Sequence, residues 1–284
     1  MSRIAYVNGR YLPQGEARVS IEDRGFQFAD GVYEVCEVRA GRIVDERRHM
    51  ARLDRSLKEL RIAPPMAPAA LAVVMRETIA RNRVRDGIVY VQVTRGAARR
   101  DFPFPPQVRP SLVVTARGND RARIDQLAAE GVAVVTVPDI RWGRVDIKSV
   151  ALLPNVLAKQ AAREQGAREA WLIDAQGRIT EGASSSAWIV TRDGTILTHP
   201  LGHDVLPGIT RAVLLDVIRA QGLAVEERAF TREEAYAARE AFITSASQIV
   251  IPVVSIDGRP VGNGAPGLIA TALRRDYHRY AELS

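Results

Sequence analysis

Residues 32–39 read Val32-Tyr-Glu-Val-Cys-Glu-Val-Arg39 and have the period-two pattern of a β-strand. The chain turns at residues 40–42 and then changes period. Met50, Leu53, Leu57 and Leu60 recur at spacings of three and four, which predicts an amphipathic helix from Arg48 to Leu60. A strand followed closely by an amphipathic helix predicts a domain in which helices pack against a sheet.

The same kind of pattern extends in both directions from this pair. Asn8-Gly9 suits a type I′ turn, so residues 4–12 are expected to form a hairpin. Prolines 64, 65 and 68 end the first helix, and a second one is expected at about residues 69–82. Two strands are then expected at 88–94 and 111–116, joined by a proline-rich loop.

A change of pattern near residues 118–131 places the domain boundary. A short helical stretch from Ile124 to Glu130 ends at Gly131, which divides the chain into domains 1–120 and 121–284. Strands and helices follow without regular alternation, which favours an α+β fold over a doubly wound sheet. The strands are expected at 132–137, 170–174, 186–190 and 242–244, and the helices at about 154–164, 209–221 and 266–280.

Composition excludes several classes of protein. The net charge is +7 and the pI about 10.0, but the arginines are scattered and no nucleic-acid motif accompanies them, so nucleic-acid binding is the less favoured alternative. No apolar run approaches the ~20 residues of a membrane span. One cysteine, Cys36, leaves no disulfide framework. His199 and His203 are separated by proline and glycine, so we expect no metal site. A cytoplasmic enzyme is the simplest interpretation.

The lysines are the sharpest compositional signal. Of 40 basic residues, 37 are arginines and three are lysines, and only lysine can lose its proton and form an imine. Lys58 and Lys159 have polar helical neighbours and are expected at the surface. Lys148 lies in the apolar stretch Val145–Leu153, which we expect to be a strand. Desolvation there would favour the neutral, nucleophilic amine. The alternative is a buried stem whose charged end reaches water.

Three small-residue segments offer polar groups. Glu181 ends a strand-like run and is followed by glycine and serines, which would also suit an ordinary Gly-Ser turn. Leu206–Thr210 reads as a loop entering a helix, whose first N–H groups can bind an anion, although Thr210 would serve equally as a helix cap. Thr244–Gln248 is a second small turn after a strand, with further N–H and hydroxyl donors.

Together these segments resemble the fold-type IV aminotransferases, which depend on pyridoxal phosphate, and most closely the bacterial D-amino-acid transaminases. The similarity runs from Asn8 to about Val261, with several motifs in the same order and spacing. The matching segments are Glu22–Glu34, Asp146–Ser149, Leu157–Gln160, Thr180–Gly182, Gly208–Arg211 and Thr244–Ser245.

The resemblance implies a role for each matching residue at the cofactor. Lys148 corresponds to the lysine that forms an aldimine with the cofactor and carries the proton between Cα and C4′. Glu181 corresponds to the carboxylate at the pyridine nitrogen, which keeps the ring an electron sink. Leu206 corresponds to an apolar residue beneath the ring. The implied phosphate contacts are Arg52, Ile209, Thr210, Ser245 and Ala246.

The resemblance also implies how substrate binds. Tyr33 and Ser185 correspond to substrate-pocket residues, and Arg100 to the arginine that traps the substrate carboxylate. The first domain then carries the trap loop and the second binds the cofactor, and the family's loop reaches across a homodimer interface. The family has a histidine where this chain has Phe102, and a threonine where it has Ala246. The first change puts the usual carboxylate geometry in doubt.

The implied reaction is transfer of an amino group from a D-amino acid, such as D-alanine or D-glutamate, to a 2-oxo acid, with Lys148 as general base in a 1,3-proton shift. A branched-chain L-amino-acid aminotransferase and an (R)-amine transaminase remain alternatives within the fold. A further alternative is 4-amino-4-deoxychorismate lyase, which would use the same cofactor site to eliminate pyruvate.

Overall fold

The computed structural model describes residues 3–284 and has the α+β content that the sequence predicts. Unit 1 comprises residues 3–120, 147–151 and 282–284, and unit 2 comprises residues 121–146 and 152–281. The main division therefore falls at residue 120. Two short segments after that point, 147–151 and 282–284, belong to unit 1 because their backbones bond to its strands.

Unit 1 is a six-stranded sheet with three helices. Its strands lie in the order β2-β1-β6-β5-β3-β4. The elements are β1 Ile4–Val7, β2 Arg10–Pro13, α1 Arg24–Phe28, β3 Gly31–Arg39, β4 Arg42–Ile43, α2 Glu46–Glu59, α3 Pro68–Arg81, β5 Gly87–Thr94 and β6 Ser111–Gly118.

The local patterns of unit 1 form as predicted. Asn8 and Gly9 both have positive φ, 46° and 95°, which is the type I′ geometry of the β1–β2 hairpin. Strand β3 pairs along its length with β5 and turns its even-numbered residues into the core. Cys36 and Val38 of that face pack with Leu53 of α2 in one hydrophobic cluster.

Helix α2 buries Leu53 and Leu57 of its predicted apolar stripe, and polar residues beside them. Met50 is only partly buried, whereas the polar residues His49, Arg52 and Ser56 are buried beside Leu53 and Leu57. A guanidinium leaves water only when it is paired. The polar stripe therefore indicates an acceptor on the sheet beneath this helix.

The segment that carries Lys148 is a loop rather than the predicted strand. Its pairing with β3 is short: Tyr33 N–H donates to Lys148 O at 2.9 Å, Val150 N–H donates to Gly31 O at 3.0 Å, and Ser149 forms a single bridge. Ile147 joins the core of unit 1. These contacts hold Lys148 against the start of β3 without a ladder long enough to form a strand.

Unit 2 is built on a ten-stranded sheet. The strand order is β12-β11-β10-β14-β15-β7-β8-β9-β13, with β16 paired to β15. The elements are α4 Arg121–Glu130, β7 Val132–Pro138, α5 Leu153–Glu164, β8 Glu169–Ile173, β9 Arg178–Gly182, β10 Ser186–Val190, β11 Ile196–Thr198, α6 Ile209–Ala220, β12 Val225–Glu227, β13 Phe230–Thr231, α7 Arg232–Ala237, β14 Glu240–Ser245, β15 Ile249–Ile256, β16 Arg259–Pro260 and α8 Leu268–Tyr277.

The central strands of unit 2 are buried on both faces. In β10, Ala187 and Ile189 join a cluster with α4 and α7, whereas Trp188 and Val190 face α6 and α8. Strand β15 is similarly apolar along most of its length and lacks the alternation that sequence patterns detect. No helix of residues 3–284 is long and apolar enough to cross a membrane.

The loop between β5 and β6, residues 95–110, contains the arginine to which the resemblance assigns the substrate carboxylate, and we refer to it as the trap loop. Gly96 closes its base with φ +106°, and a Cβ on Gly96 would lie 2.0 Å from the carbonyl oxygen of Arg109. The backbone N–H of Arg24 donates to the carbonyl oxygen of Gly96 at 2.9 Å. Only glycine permits this backbone conformation and this approach of the two loop ends.

Gly96→Ala is predicted to lower the free energy of unfolding by about 2 kcal/mol, because alanine is strained at this φ and its methyl group collides with the loop end. Chemical denaturation of the purified protein measures the change. Gly15→Ala is the matched control, since a Cβ there meets nothing within 4 Å. Equal stability of the two variants would contradict the account of the loop base.

Candidate functional site

The three lysines occupy distinct environments. Lys58 is exposed on α2 and pairs with Asp54 one turn away, as expected for a surface residue. Lys148 is half-buried in unit 1. Lys159 departs from the simple surface expectation, because its amine donates to Arg168 O at 2.7 Å and lies 3.2 Å from the buried carboxylate of Glu169.

The amine of Lys148 contacts the side chain of Tyr33. Its Nζ is 3.3 Å from Tyr33 Oη and 4.3 Å from the ring centroid. Tyr33 in turn stacks on Tyr90 at 5.6 Å, and burial raises the pKa of Tyr90 to about 12. The Lys148 backbone N–H donates to Ser56 Oγ of α2 at 3.4 Å. Strand β3, through Tyr33, and helix α2, through Ser56, therefore both determine the position of the Lys148 amine.

Arg52 is fixed by a buried carboxylate. Its Nε and Nη2 donate to the two oxygens of Glu34 at 2.7 and 2.8 Å, and Nδ1 of His49 lies 2.8 Å from Glu34 Oε2. Burial alone would raise the pKa of Glu34, but the charge and hydrogen bonds of Arg52, with those of His49, lower it to about 2. The pair explains the polar stripe of α2 and holds the guanidinium in one orientation.

In unit 2, Glu181 is held by an arginine that the sequence patterns did not single out. Arg141 Nη1 donates to Glu181 Oε1, while its Nε and Nη2 bind Asp139 at 2.9 and 2.6 Å. Thr180 Oγ1 also donates to Asp139, at 2.8 Å. Glu181 is thereby kept in a fixed position at the end of β9.

Arg141 also reaches the loop that carries Leu206. Its Nη2 donates to Asp204 O at 3.0 Å, and the Leu206 N–H donates to Glu181 Oε1 at 3.2 Å. Burial would raise the pKa of Asp139, but the bonds from Arg141 hold it below its usual range. The carboxylate of Glu181 and the backbone of Leu206 are consequently fixed relative to each other.

The start of helix α6 lies near the segments around Ser186 and Ser245, which consist of small residues. Its N-cap is Gly208, where a Cβ would lie 3.0 Å from Ser186 Oγ. Ser186 pairs with Thr244, and β14 ends at Ser245, immediately before Ala246. A glycine cap has no side chain to accept the first-turn N–H groups of the helix. The arrangement is therefore suited to an anion bound by helix N–H groups.

Ile209 and Thr210, the first residues of α6, have the position that the sequence predicts, and Thr210 is buried. Ser185 lies in the turn after Glu181. Its hydroxyl donates to Glu169 Oε2 at 3.1 Å, and Ser184 donates to the same oxygen at 2.6 Å. Glu169, which Lys159 approaches, thus anchors the serine turn.

Arg100 lies in the trap loop, apart in sequence from the Lys148 cluster. Its guanidinium carbon is 4.6 Å from the ring centroid of Phe28. Phe102, at the position where the resemblance implies a histidine, is 81% exposed, and its ring is 5.6 Å from that of Phe28. Asp101 Oδ1 accepts the Phe102 N–H at 2.8 Å. Phe102 therefore contributes an aromatic contact and no second donor for a carboxylate.

Glu34, Asp139 and Arg141 are the residues that sequence reasoning missed. Glu34 had a detectable signal, because it occupies a core-facing position of β3, where a carboxylate requires a partner. Asp139 and Arg141 lie just beyond β7, where no periodicity marks them. Among residues 3–284, no group of three or more His, Cys, Asp and Glu side chains is arranged to hold a metal ion.

Comparison with known proteins gives a consistent result. The amino-transferase class IV family matches residues 31–256. A D-alanine aminotransferase of Staphylococcus haemolyticus is 39% identical over 279 residues, which is 98% of this chain and 97% of the relative. A D-alanine aminotransferase of Bacillus licheniformis is 43% identical over 260 residues, covering 92% and 90%.

The fold also matches a solved structure of an aminotransferase. The branched-chain aminotransferase of the thermophilic archaeon Thermoproteus uzoniensis, in its structure with norvaline, superposes with a TM-score of 0.88. The two chains are 25% identical, and the match covers 100% of this chain and 99% of the other.

The Glu34–Arg52 pair predicts acid sensitivity. Because the pKa of folded Glu34 is about 2, below its ordinary value of 4.5, its contribution to stability is fully present above about pH 4.5. It is lost as the pH falls toward 2. Glu34→Gln removes one partner of a buried pair and should destabilise unit 1 by about 3–5 kcal/mol at pH 7.

Urea unfolding at pH 7 and at pH 3 measures both effects. The stability difference between wild type and Glu34→Gln should shrink at the lower pH. Glu77→Gln is the control, because Glu77 forms a half-exposed pair with Arg81 on α3. A Glu34→Gln variant as stable as this control would show that the buried pair does not have the role assigned to it.

Proposed function

The chain belongs to the class IV aminotransferases, and from this premise we propose that it transfers the amino group of a D-amino acid, of the D-alanine or D-glutamate type, to a 2-oxo acid. Family membership confirms the fold type and the aminotransferase activity that the motifs predict. The observation that carries the D-amino-acid assignment is the 39% and 43% identity, over nearly the whole chain, to two D-alanine aminotransferases.

The enzyme uses pyridoxal phosphate, as the class IV family does. Each unit, taken by itself, contains groups suited to this cofactor. Unit 1 has a lysine amine that contacts a tyrosine, and unit 2 has an immobilised carboxylate and a helix start with a glycine cap. We assign the pyridine nitrogen to Glu181, the ring face to Leu206, and the phosphate to Arg52, Ile209, Thr210, Ser245 and Ala246.

When bound, pyridoxal phosphate supplies an electron sink for the pair left at Cα. Lys148 is the group that removes the Cα proton and returns it at C4′, and Tyr33 holds its amine at 3.3 Å. Glu181 would accept the N–H of the pyridine ring and so keep that nitrogen protonated. Arg141 and Asp139 keep the carboxylate of Glu181 in place.

We assign the substrate carboxylate to Arg100 and the rest of the substrate pocket to Tyr33 and Ser185. A guanidinium binds a carboxylate through two parallel hydrogen bonds, which gives both affinity and direction. The ring of Phe28 supports Arg100 from one side. Since Phe102 offers no second donor, the carboxylate site is looser than the family's arginine–histidine pair.

A branched-chain L-amino-acid aminotransferase is the second candidate, because the structural match is to a branched-chain enzyme. Its 25% identity is well below that of the D-alanine aminotransferases, which favours the D-specific assignment. Activity on an (R)-amine would need only the cofactor site. A lyase acting on 4-amino-4-deoxychorismate would release pyruvate without any amino acceptor.

We further propose that the enzyme is a cytoplasmic homodimer in which unit 1 supplies the trap loop and unit 2 most of the cofactor contacts. Exposed apolar side chains in unit 1 support the dimer. Ile21, Phe26 and Phe102 are 80%, 75% and 81% exposed, and they lie just before α1, on α1 and on the trap loop, respectively. Exposed large apolar groups on neighbouring segments are typical of an association surface.

Lys148→Ala is predicted to lower turnover by several orders of magnitude, because it removes both the nucleophile and the proton carrier. Pyridoxal phosphate should still bind through its phosphate, as equilibrium dialysis would measure. Borohydride reduction of the wild type followed by peptide mapping should place the cofactor on Lys148. Label on Lys58 or Lys159 would overturn the assignment.

Glu181→Gln is predicted to lower kcat roughly 100-fold, because an amide cannot hold the pyridine proton that the electron sink requires. Affinity for pyridoxal phosphate should change much less, and the fold should remain intact by circular dichroism. Arg52→Ala is the complementary variant, and there the loss should be mainly in cofactor affinity. Full turnover by Glu181→Gln at saturating cofactor would exclude the role given to Glu181.

A further inference from the structure

Arg24, at the start of α1, is almost completely buried and binds the trap loop directly. Its Nη1 donates to Asp101 O at 2.6 Å and its Nη2 to Phe102 O at 3.2 Å. These two carbonyls belong to the residues immediately after Arg100. The contact thus fixes the backbone on the carboxyl-terminal side of the arginine assigned to the substrate carboxylate.

The guanidinium of Arg24 is itself anchored. Its Nε donates to Asp30 Oδ2 at 2.8 Å. Arg95 donates to both oxygens of Asp30, at 2.7 and 3.0 Å, and to the carbonyls of Arg61 and Leu60. Asp30 therefore connects the loop contact to the base of the trap loop. A planar guanidinium presents its donors in fixed, divergent directions, and Arg24 uses them to bind one carboxylate and two carbonyls at once.

A single aromatic ring lies between Arg24 and the residues of the loop. The guanidinium carbons of Arg24 and Arg100 are 4.8 and 4.6 Å from the ring centroid of Phe28, and the ring of Phe102 is 5.6 Å from it. A cation on an aromatic face keeps its N–H edges available for other acceptors. Phe28 thus supports Arg100 without occupying the groups that would bind a carboxylate.

We propose that Arg24 is a positioning residue for the substrate carboxylate: with Asp30 and Phe28 it holds the trap loop in the conformation in which Arg100 meets the carboxylate of the amino donor. The inference rests on the proposed role of Arg100. The loop is ordered here through the backbone carbonyl of Phe102 and the ring of Phe28.

The first test measures the order of the loop without turnover. In the cofactor-free protein, Arg24→Met should accelerate tryptic cleavage after Arg99 or Arg100 by roughly tenfold, because the loop opens more often. Arg81→Met is the control, since Arg81 also pairs with a carboxylate in unit 1 but lies on α3. Cleavage as slow as in the wild type and the control would overturn the inference.

The second test separates KM from kcat. Arg24→Met should raise the KM for D-alanine roughly tenfold and change kcat and pyridoxal phosphate affinity little. The kcat/KM for D-alaninamide and for (R)-1-phenylethylamine, which lack the carboxylate, should stay near the wild-type values. In an Arg100→Ala background, Arg24→Met should add nothing further to the KM for D-alanine. Equal losses on all three donors, with weaker cofactor binding, would show a merely structural role.

The two tests also distinguish failure of the inference from failure of the proposed function. Arg24→Met could loosen the loop without changing the KM for D-alanine. If Arg100→Ala also leaves that KM unchanged, Arg100 does not bind the substrate carboxylate. If Arg24→Met does not fold, Phe28→Leu replaces it. This variant leaves the Arg24–Asp30 pair intact, removes the shared ring, and should give the same carboxylate-selective rise in KM.

Discussion

A guanidinium taken out of water must meet acceptors, and this constraint determines where the functional side chains of the protein lie. Three arginines form ion pairs away from water: Arg52 with Glu34, Arg141 with Asp139 and Glu181, and Arg24 with Asp30. Such pairs gain little stability over well-packed apolar groups, but breaking one is costly. Their effect is geometric: each has essentially one arrangement that satisfies all its hydrogen bonds, and the neighbouring functional group is fixed with it.

The chain has 37 arginines and only three lysines, and the two residue types have different surroundings. Arginine serves where a permanent charge holds a carboxylate or carbonyl, as at residues 24, 52 and 141. Lys148 instead lies beside a phenol, with its Nζ 3.3 Å from Tyr33 Oη. Lys159 is a different case, because its amine helps to hold buried Glu169 beneath the serine turn.

Much of unit 1 follows from sequence patterns alone. Local conformational preferences, which can be read from the residue types, determine three of its features. These are the Asn8-Gly9 turn, the strand from Gly31 to Arg39 and the limits of helix α2. Strand β15 could not be predicted in this way, because a strand buried on both faces has no alternation. The stretch around Lys148 was expected to be a strand for its apolar residues, yet it forms only a short contact with β3.

The composition and the local patterns single out Lys148, Glu181 and the start of α6 as candidates, and the family resemblance predicts their roles. Arg141 and Arg24 instead bind partners distant in sequence. Arg24 contacts residues 77 and 78 positions away, and no spacing rule connects them. Predicting such pairs requires the tertiary structure, because the acceptor is set by packing rather than by sequence distance.

The handedness of the amino acid formed tests the central claim most directly. The purified enzyme would be incubated with pyruvate and, in separate reactions, with D-glutamate, L-glutamate or L-leucine, and the alanine produced resolved by chiral chromatography. We expect D-alanine from D-glutamate and no alanine from either L-amino acid. L-alanine formed from L-glutamate or L-leucine, with none from D-glutamate, would contradict the assignment.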